Sequence, residues 1–370
     1  MKTKIVIDGL PLLSPLTGIG RYTYEIAKEI KGDNSFDTNF YYGYYSKKLI
    51  TSTKKSNLKH IKYFITKNQR LKQIIRKYLE YSNKVNNKKF DLYWQPNFIP
   101  LENIKAKKII TSVHDFSFIL YKDFHPKERI KYFEKNFFKN ISKSDIIITG
   151  SYYTKNEILE RINISEDRVK VIYHGVNHNL FKIYNDLEIS INLPKKFIFC
   201  AGSLEPRKNL ISLLKAYNKL DKKIKKEYNL VLSGAIGWNN KEILQIIEEN
   251  KKYIHYTGYV SDIELAKIYN LATIFVYPSL YEGFGLPPLE AMACGTPVIT
   301  SNISSIPEVC QDAVLYCNPK SIDDIKDKME LLLNDINLQK NLIQKGLLQS
   351  KKFNWKTSAN SHKKIFRDFI

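Results

Sequence analysis

The chain has 370 residues, 43% of them hydrophobic. That is more chain than one hydrophobic core usually organises, so two domains are expected and a wholly disordered state is excluded. Lys and Arg number 59 against 37 Asp and Glu, a formal charge of +22, which favours phosphorylated substrates, anionic lipid headgroups or nucleic acid as partners without choosing among them. No stretch approaches the roughly 18 apolar residues of a membrane-spanning helix.

From Met1-Lys2-Thr3-Lys4 the sequence runs straight into a strand pattern, Lys4 to Asp8, rather than a signal sequence, so the protein is expected in the cytoplasm. Asp8-Gly9 is followed by Thr17-Gly18-Ile19-Gly20-Arg21-Tyr22, read as a loop between that strand and a helix. Thr23 stands where a dinucleotide fingerprint needs its third glycine, so the loop is expected only to lend backbone amides to a ligand. From Lys47 to Lys89 there are fourteen Lys or Arg and one acid, Glu80, and Leu71, Ile74, Ile75, Tyr78 and Leu79 keep helical spacing. Two readings are open for this segment: a basic amphipathic helix on an anionic membrane, or a core-facing helix with a solvated basic face.

Strand patterns recur at Lys107 to Asp115, Asp145 to Gly150 and Val169 to His174, with helical patterns between them. This alternation is the signature of a parallel sheet with crossover helices. It pauses over the polar Lys182 to Lys195 and restarts at Phe197-Ile198-Phe199-Cys200-Ala201-Gly202, then continues with strands near 229 to 234, 254 to 259, 273 to 278, 297 to 300 and 313 to 316. The expected fold class is therefore α/β, two doubly wound, Rossmann-like parallel-sheet domains spanning 1–190 and 191–353, with ligands in the cleft outside the carboxyl ends of their strands. Cys200, Cys294, Cys310 and Cys317 lack the Cys-x-x-Cys spacing of ligands and are expected to be reduced packing residues.

The residues with chemical meaning fall at strand ends. His114-Asp115 closes one strand and is expected at the cleft rim. Gly202-Ser203-Leu204-Glu205-Pro206-Arg207-Lys208-Asn209 follows another strand and precedes a helical run. Arg offers a bidentate fork to phosphate oxygens and Lys a point charge, so Arg207 and Lys208 suit a departing diphosphate. The most informative run is Tyr281-Glu282-Gly283-Phe284-Gly285-Leu286-Pro287-Pro288-Leu289-Glu290-Ala291-Met292-Ala293-Cys294-Gly295. Its glycines permit close approach of the backbone to a ligand, its helix start presents free amides to an anion, and Glu290 leans back toward them. Two carboxylates beside a phosphate site are tolerable where each accepts hydroxyl hydrogen bonds, and a nucleotide sugar offers a ribose and a sugar.

Together these runs, with His174-Gly175-Val176-Asn177, resemble the retaining glycosyltransferase family 4, of the GT-B fold, over nearly the whole chain. Glu282 and Glu290 match the family's Glu-x7-Glu motif. The resemblance implies that Arg207 and Lys208 hold the diphosphate, Glu290 the ribose and Glu282 the transferred sugar. It also implies that amides around Gly283, Phe284, Gly285 and Leu286 and the Gly18 to Gly20 loop cradle phosphate and sugar, that His114 stands near the reacting carbon, and that Val260 and Ser261 receive the base. Residues 354–370 resemble a final helix returning to the first domain. No bound metal or other cofactor is implied, and no Asp-x-Asp motif is present.

The O-antigen mannosyl- and rhamnosyltransferases look nearest, which favours GDP-mannose as donor and a lipid-linked oligosaccharide as acceptor at the cytoplasmic membrane face, with residues 47–89 as a dock. A UDP- or dTDP-sugar donor is the alternative on the same fold. Nucleotide-sugar epimerases share the architecture but lack the Arg-Lys and Glu-x7-Glu combination, and a non-catalytic membrane-surface scaffold would not need it. Nucleic acid is not expected as a partner, because no helix-turn-helix, finger or aromatic-basic stacking motif accompanies the charge.

Overall fold

The computed structural model describes residues 2–14, 18–51 and 88–369. Two parallel sheets organise it. The first has strands β1 (Thr3–Asp8), β2 (Phe36–Tyr41), β3 (Tyr45–Ser46), β4 (Lys89–Gln95), β5 (Lys105–Ser112), β6 (Ile146–Thr149) and β7 (Val169–Val171), in spatial order β3-β2-β1-β4-β5-β6-β7, with β3 antiparallel. The second has β8 (Phe197–Ala201), β9 (Asn229–Ser233), β10 (Ile254–Tyr256), β11 (Ile274–Tyr277), β12 (Val298–Ser301) and β13 (Leu315–Cys317), in order β10-β9-β8-β11-β12-β13, all parallel.

The helices are α1 (Gly18–Lys31), α2 (Ser117–Leu120), α3 (Lys127–Ile141), α4 (Tyr152–Arg161), α5 (Leu210–Lys219), α6 (Lys222–Glu227), α7 (Lys241–Glu249), α8 (Asp262–Leu271), α9 (Leu286–Ala293), α10 (Ile306–Cys310), α11 (Ile322–Asn334), α12 (Ile336–Lys351) and α13 (Trp355–Asp368). Central strands read as unbroken apolar runs because helices cover both faces: Ile5, Val6 and Ile7 are fully buried, as are Ile274, Phe275, Val276 and Tyr277. All four cysteines are buried and free, in keeping with packing roles.

The sequence reading missed β2, β3 and β4, and it counted Lys89, which opens β4, in the basic segment. The edge strand β10 stops at Tyr256 rather than near 259, since it has only β9 to pair with. The spaced apolar residues between Leu71 and Leu79 lie outside the described residues. No described helix is long and apolar enough to cross a membrane.

Strand order reverses between β1 and β4 in the first sheet and between β8 and β11 in the second. Loops leaving adjacent strands at such a reversal diverge to opposite faces and leave a crevice between them. The loop after β8 carries Arg207 and Lys208, and the loop after β11 carries Glu282, so the two motifs meet because of the topology.

Helix α13 comes back from the second sheet to the first. Asn354 caps it by accepting the Lys356 amide at 2.8 Å, and Trp355, Ala359 and Phe366 pack with Ile5, Ile26 and Trp94. At its centre His362 donates from Nδ1 to the Ser358 carbonyl at 2.8 Å, so its Nε2 accepts the Tyr22 hydroxyl at 2.7 Å. Ser112 then bonds Tyr22 at 2.8 Å and accepts the Trp94 indole N–H at 3.0 Å. Every member of this chain has its proton assigned by its neighbours, which makes a charged imidazole unwelcome.

Burial depresses His362 to about 4. Between an unfolded value near 6.5 and that folded value the unfolded chain takes up a proton that the folded chain refuses. Stability is therefore expected to fall by about 3 kcal/mol through this residue as pH drops through the window. Asp8 and Glu290, raised by burial, oppose the trend, so the comparison must be with a variant. Thermal melts from pH 7 to 4 should show a shallower acid slope in His362→Gln than in the parent; parallel slopes would show that the imidazole does not titrate with folding.

Candidate active site

Glu282 is the centre of the second sheet's cleft face. Its Oε1 accepts the Lys208 ammonium at 2.7 Å, the Tyr277 hydroxyl at 2.7 Å and the Ser279 hydroxyl at 2.6 Å, while Oε2 accepts Arg207 Nη1 at 3.0 Å. Its backbone N–H donates to Ser304 Oγ at 3.0 Å and its carbonyl accepts from Ser305 Oγ at 2.8 Å. Burial by itself would raise this carboxyl, but Arg207 and Lys208 outweigh it and hold Glu282 well below the usual carboxylate range. Arg207 also bonds Glu205 at 3.1 Å and the Tyr281 carbonyl at 2.6 Å. Burial disfavours its charge, but Glu282, Asp115 and Glu205 reverse that, so it stays protonated.

Asn209 explains why a basic turn holds this shape. It adopts the left-handed conformation at φ 59° between the 3-10 turn Pro206–Lys208 and α5, and its amide donates to the Pro278 carbonyl at 3.0 Å and the Pro319 carbonyl at 2.7 Å. Asn tolerates that backbone better than other non-glycine residues. The loop after β8 is thereby tied to the ends of β11 and β13.

Gly285, at φ 107°, turns the chain into α9, where Leu286 is the first residue and prolines follow. Glu290 is buried within α9, and burial pushes it up to about 7 despite Arg21, whose Nη1 lies 3.0 Å away. Arg21 Nη2 meets Asp262 at 2.6 Å. Ser261 caps α8 in a reciprocal capping box with Glu264, so its hydroxyl already has a structural use; Val260 beside it is buried.

Across the cleft, Gly18 to Gly20 open α1 instead of forming a loop. The physical consequence for ligand binding is small, because first-turn N–H groups have no partner within the helix. His114 is half-buried. Its Nε2 donates to the Pro96 carbonyl at 2.7 Å, leaving Nδ1 as an acceptor, and burial keeps the ring neutral by lowering its pKa.

The expectation that Gly283 makes room for a ligand needs amending. A Cβ there would stand 1.7 Å from the His114 carbonyl, so this glycine serves the approach of the other sheet's domain. Around it the Gly283 carbonyl accepts Ser151 Oγ at 2.8 Å, the Tyr281 hydroxyl accepts the Phe116 N–H at 2.8 Å and donates to Glu157, and Glu308 accepts the Tyr152 and Tyr153 N–H groups at 2.8 and 3.0 Å. The loop bearing Glu282 is thus built into the domain contact.

The structure brings Arg207, Lys208 and Glu282 into one cluster. It leaves Glu290, Val260 and Ser261 in a second group along α8 and α9, while His114, two residues past the end of β5, packs its ring against Tyr22, Phe98 and His174. Sequence reading missed Arg21, Asp262, Tyr277 and Ser279. Tyr277 and Ser279 flank a strand end next to a motif, a signal that was available; the Arg21 contacts bridge 241 and 269 residues and had no local signal.

Residues 16–180 match the family described as Glycosyltransferase Family 4, and residues 185–349 match Glycosyl transferases group 1. Over 371 residues the chain is 32% identical to the O-antigen chain mannosyltransferase B of Escherichia coli, covering 95% of this chain and 96% of that one. It is 34% identical over 275 residues to the serotype-specific mannosyltransferase WbdA of Escherichia coli, covering 71% of this chain but only 33% of that longer protein. Sucrose-phosphate synthase from Thermosynechococcus elongatus superposes with a TM-score of 0.73 at 18% identity, covering 100% of this chain and 99% of that one, which establishes the GT-B fold. The chain belongs to the family 4, group 1 glycosyltransferases. Its relatives include O-antigen mannosyltransferases.

Since Gly283 lies against the His114 carbonyl, Gly283→Ala is expected to wedge the two halves apart. Solution scattering should give a larger radius of gyration than the parent, and an unchanged radius would show that the contact is not needed for closure.

Proposed function

We propose that this glycosyltransferase moves mannose from GDP-mannose, with retention of anomeric configuration, onto a lipid-linked oligosaccharide during synthesis of O-antigen or another surface polysaccharide. The observation that carries the donor site is the half-buried Arg207-Lys208 pair beside buried Glu282, at neighbouring strand ends of the second sheet. Two fixed cations in a poorly solvated cleft stabilise charge that develops on a leaving diphosphate. The mannose donor and the acceptor class are supported by likeness to the O-antigen enzymes.

In this reading Arg207 and Lys208 bind the diphosphate, Glu290 the ribose diol, and Glu282 a hydroxyl of the sugar through the oxygen that has a single partner. The N–H groups of Phe284, Gly285 and Leu286 and of Gly18 and Gly20 approach phosphate and sugar from opposite sides. Val260 and Ser261 flank the base, and neutral His114 lies near the reacting carbon. The leaving phosphate takes the acceptor hydroxyl's proton on the same face, so neither a metal nor a side-chain base is required. The enzyme works peripherally on the cytoplasmic face of the membrane, with the basic segment 47–89 against anionic lipid.

Thermal shifts with GDP, UDP, dTDP and ADP, followed by transfer from GDP-mannose to extracted lipid-linked acceptor in EDTA, test this. GDP should raise the melting temperature most, transfer should survive the chelator, and Lys208→Ala should slow it by about two orders of magnitude. Stabilisation by UDP alone would reassign the donor, and a fully active Lys208→Ala would show the diphosphate lies elsewhere.

A further inference from the structure

Arg21, in the first turn of α1, sends its side chain into the group formed by α8 and α9. Its side chain is 12% exposed, and its two terminal nitrogens serve two different carboxylates: Glu290 on α9 at 3.0 Å and Asp262 on α8 at 2.6 Å. The guanidinium also lies 5.4 Å from the centroid of the Phe181 ring. A planar fork can span two carboxylates on separate helices, which a lysine's single ammonium does less well. Asp262 follows Val260 and Ser261, and Glu290 follows the Gly283 to Leu286 turn, so this one side chain links the two ends of the region where a nucleoside would lie.

We propose that Arg21 is a positioning residue of the nucleoside subsite, reaching across the cleft to fix the Glu290 carboxylate toward the ribose diol while the two halves are closed. The proposal rests on the reading of Glu290 as the ribose ligand. Four groups bear on this carboxylate: Arg21 from α1, Asp262 and Tyr269 from α8, and Cys294 just beyond α9; Glu25 from α1 acts on Arg21 itself. Arg21 alone among them is a cation. Tyr269 reaches the other oxygen of Glu290 only at 3.4 Å, which leaves that oxygen open to a hydroxyl donor.

Burial already pushes Glu290 up to about 7 with Arg21 in place. Without the cation, Asp262 would face it unopposed and its titration would move further up. A carboxylic acid accepts a diol less well than a carboxylate does, so the loss should appear as a displaced pH profile of nucleotide binding. An Arg21 that merely clamped the halves together predicts the opposite displacement: an opened cleft hydrates Glu290 and lowers its titration.

The test is calorimetric titration of the full chain with GDP and with inorganic pyrophosphate from pH 6 to 9, in the parent, Arg21→Ala, Arg21→Lys and Glu290→Gln. Arg21→Ala is expected to move the GDP midpoint up by about one unit, weakening binding about fivefold at pH 7. Arg21→Lys should fall between it and the parent, and pyrophosphate, which has no ribose, should bind all four alike. A GDP midpoint in Arg21→Ala that is unchanged or lower overturns the proposal. Should Glu290→Gln bind GDP as the parent does, the ribose assignment itself fails; weak binding by Glu290→Gln with an unaltered Arg21→Ala rejects only the role of Arg21.

Discussion

The site depends on a buried carboxylate shared by two cations. Without Glu282, Arg207 would keep Glu205, but Lys208 would keep only the Tyr277 hydroxyl among its described hydrogen-bond partners, so this carboxylate is what holds the two cations together where little water reaches. Tyr277 and Ser279 take up the remaining lone pairs on one carboxylate oxygen, so the arrangement has little freedom. A preorganised pair of cations of this kind costs no reorganisation when negative charge arrives.

That cluster is tied to the contact between the halves. Residues 281 to 283 supply Arg207 with a carbonyl, Glu282 itself, and the carbonyl and Cα that meet Ser151 and His114. Separation of the halves would therefore withdraw support from the loop that orients the cations. Any opening or closing of the cleft would be felt by the cation cluster through these three residues. Glu308 and Tyr281 strengthen the link, since each satisfies N–H groups at the start of a helix in the other half.

Much of this was legible in the residues because it is local. The strand-to-helix alternation marked two parallel sheets, and the runs at 205 to 209 and 281 to 295 carry their glycines, prolines and charges within a few positions of each other. What was not legible came from contacts between distant segments. Gly283 looked like a place for a ligand, but its neighbour is the His114 carbonyl. Gly18 and Gly20 looked like loop residues and open a helix. β2 escaped because Asp37, Thr38 and Asn39 interrupt its apolar pattern, β3 because it has only two residues, and β4 because its first lysine continues a basic run.

The most direct measurement is a crystal structure of the complex with GDP. The account predicts diphosphate oxygens within hydrogen-bond distance of both the Arg207 guanidinium and the Lys208 ammonium, with Glu282 still beside them and the ribose hydroxyls on Glu290. A nucleotide bound with its phosphates away from Arg207 and Lys208 would contradict it.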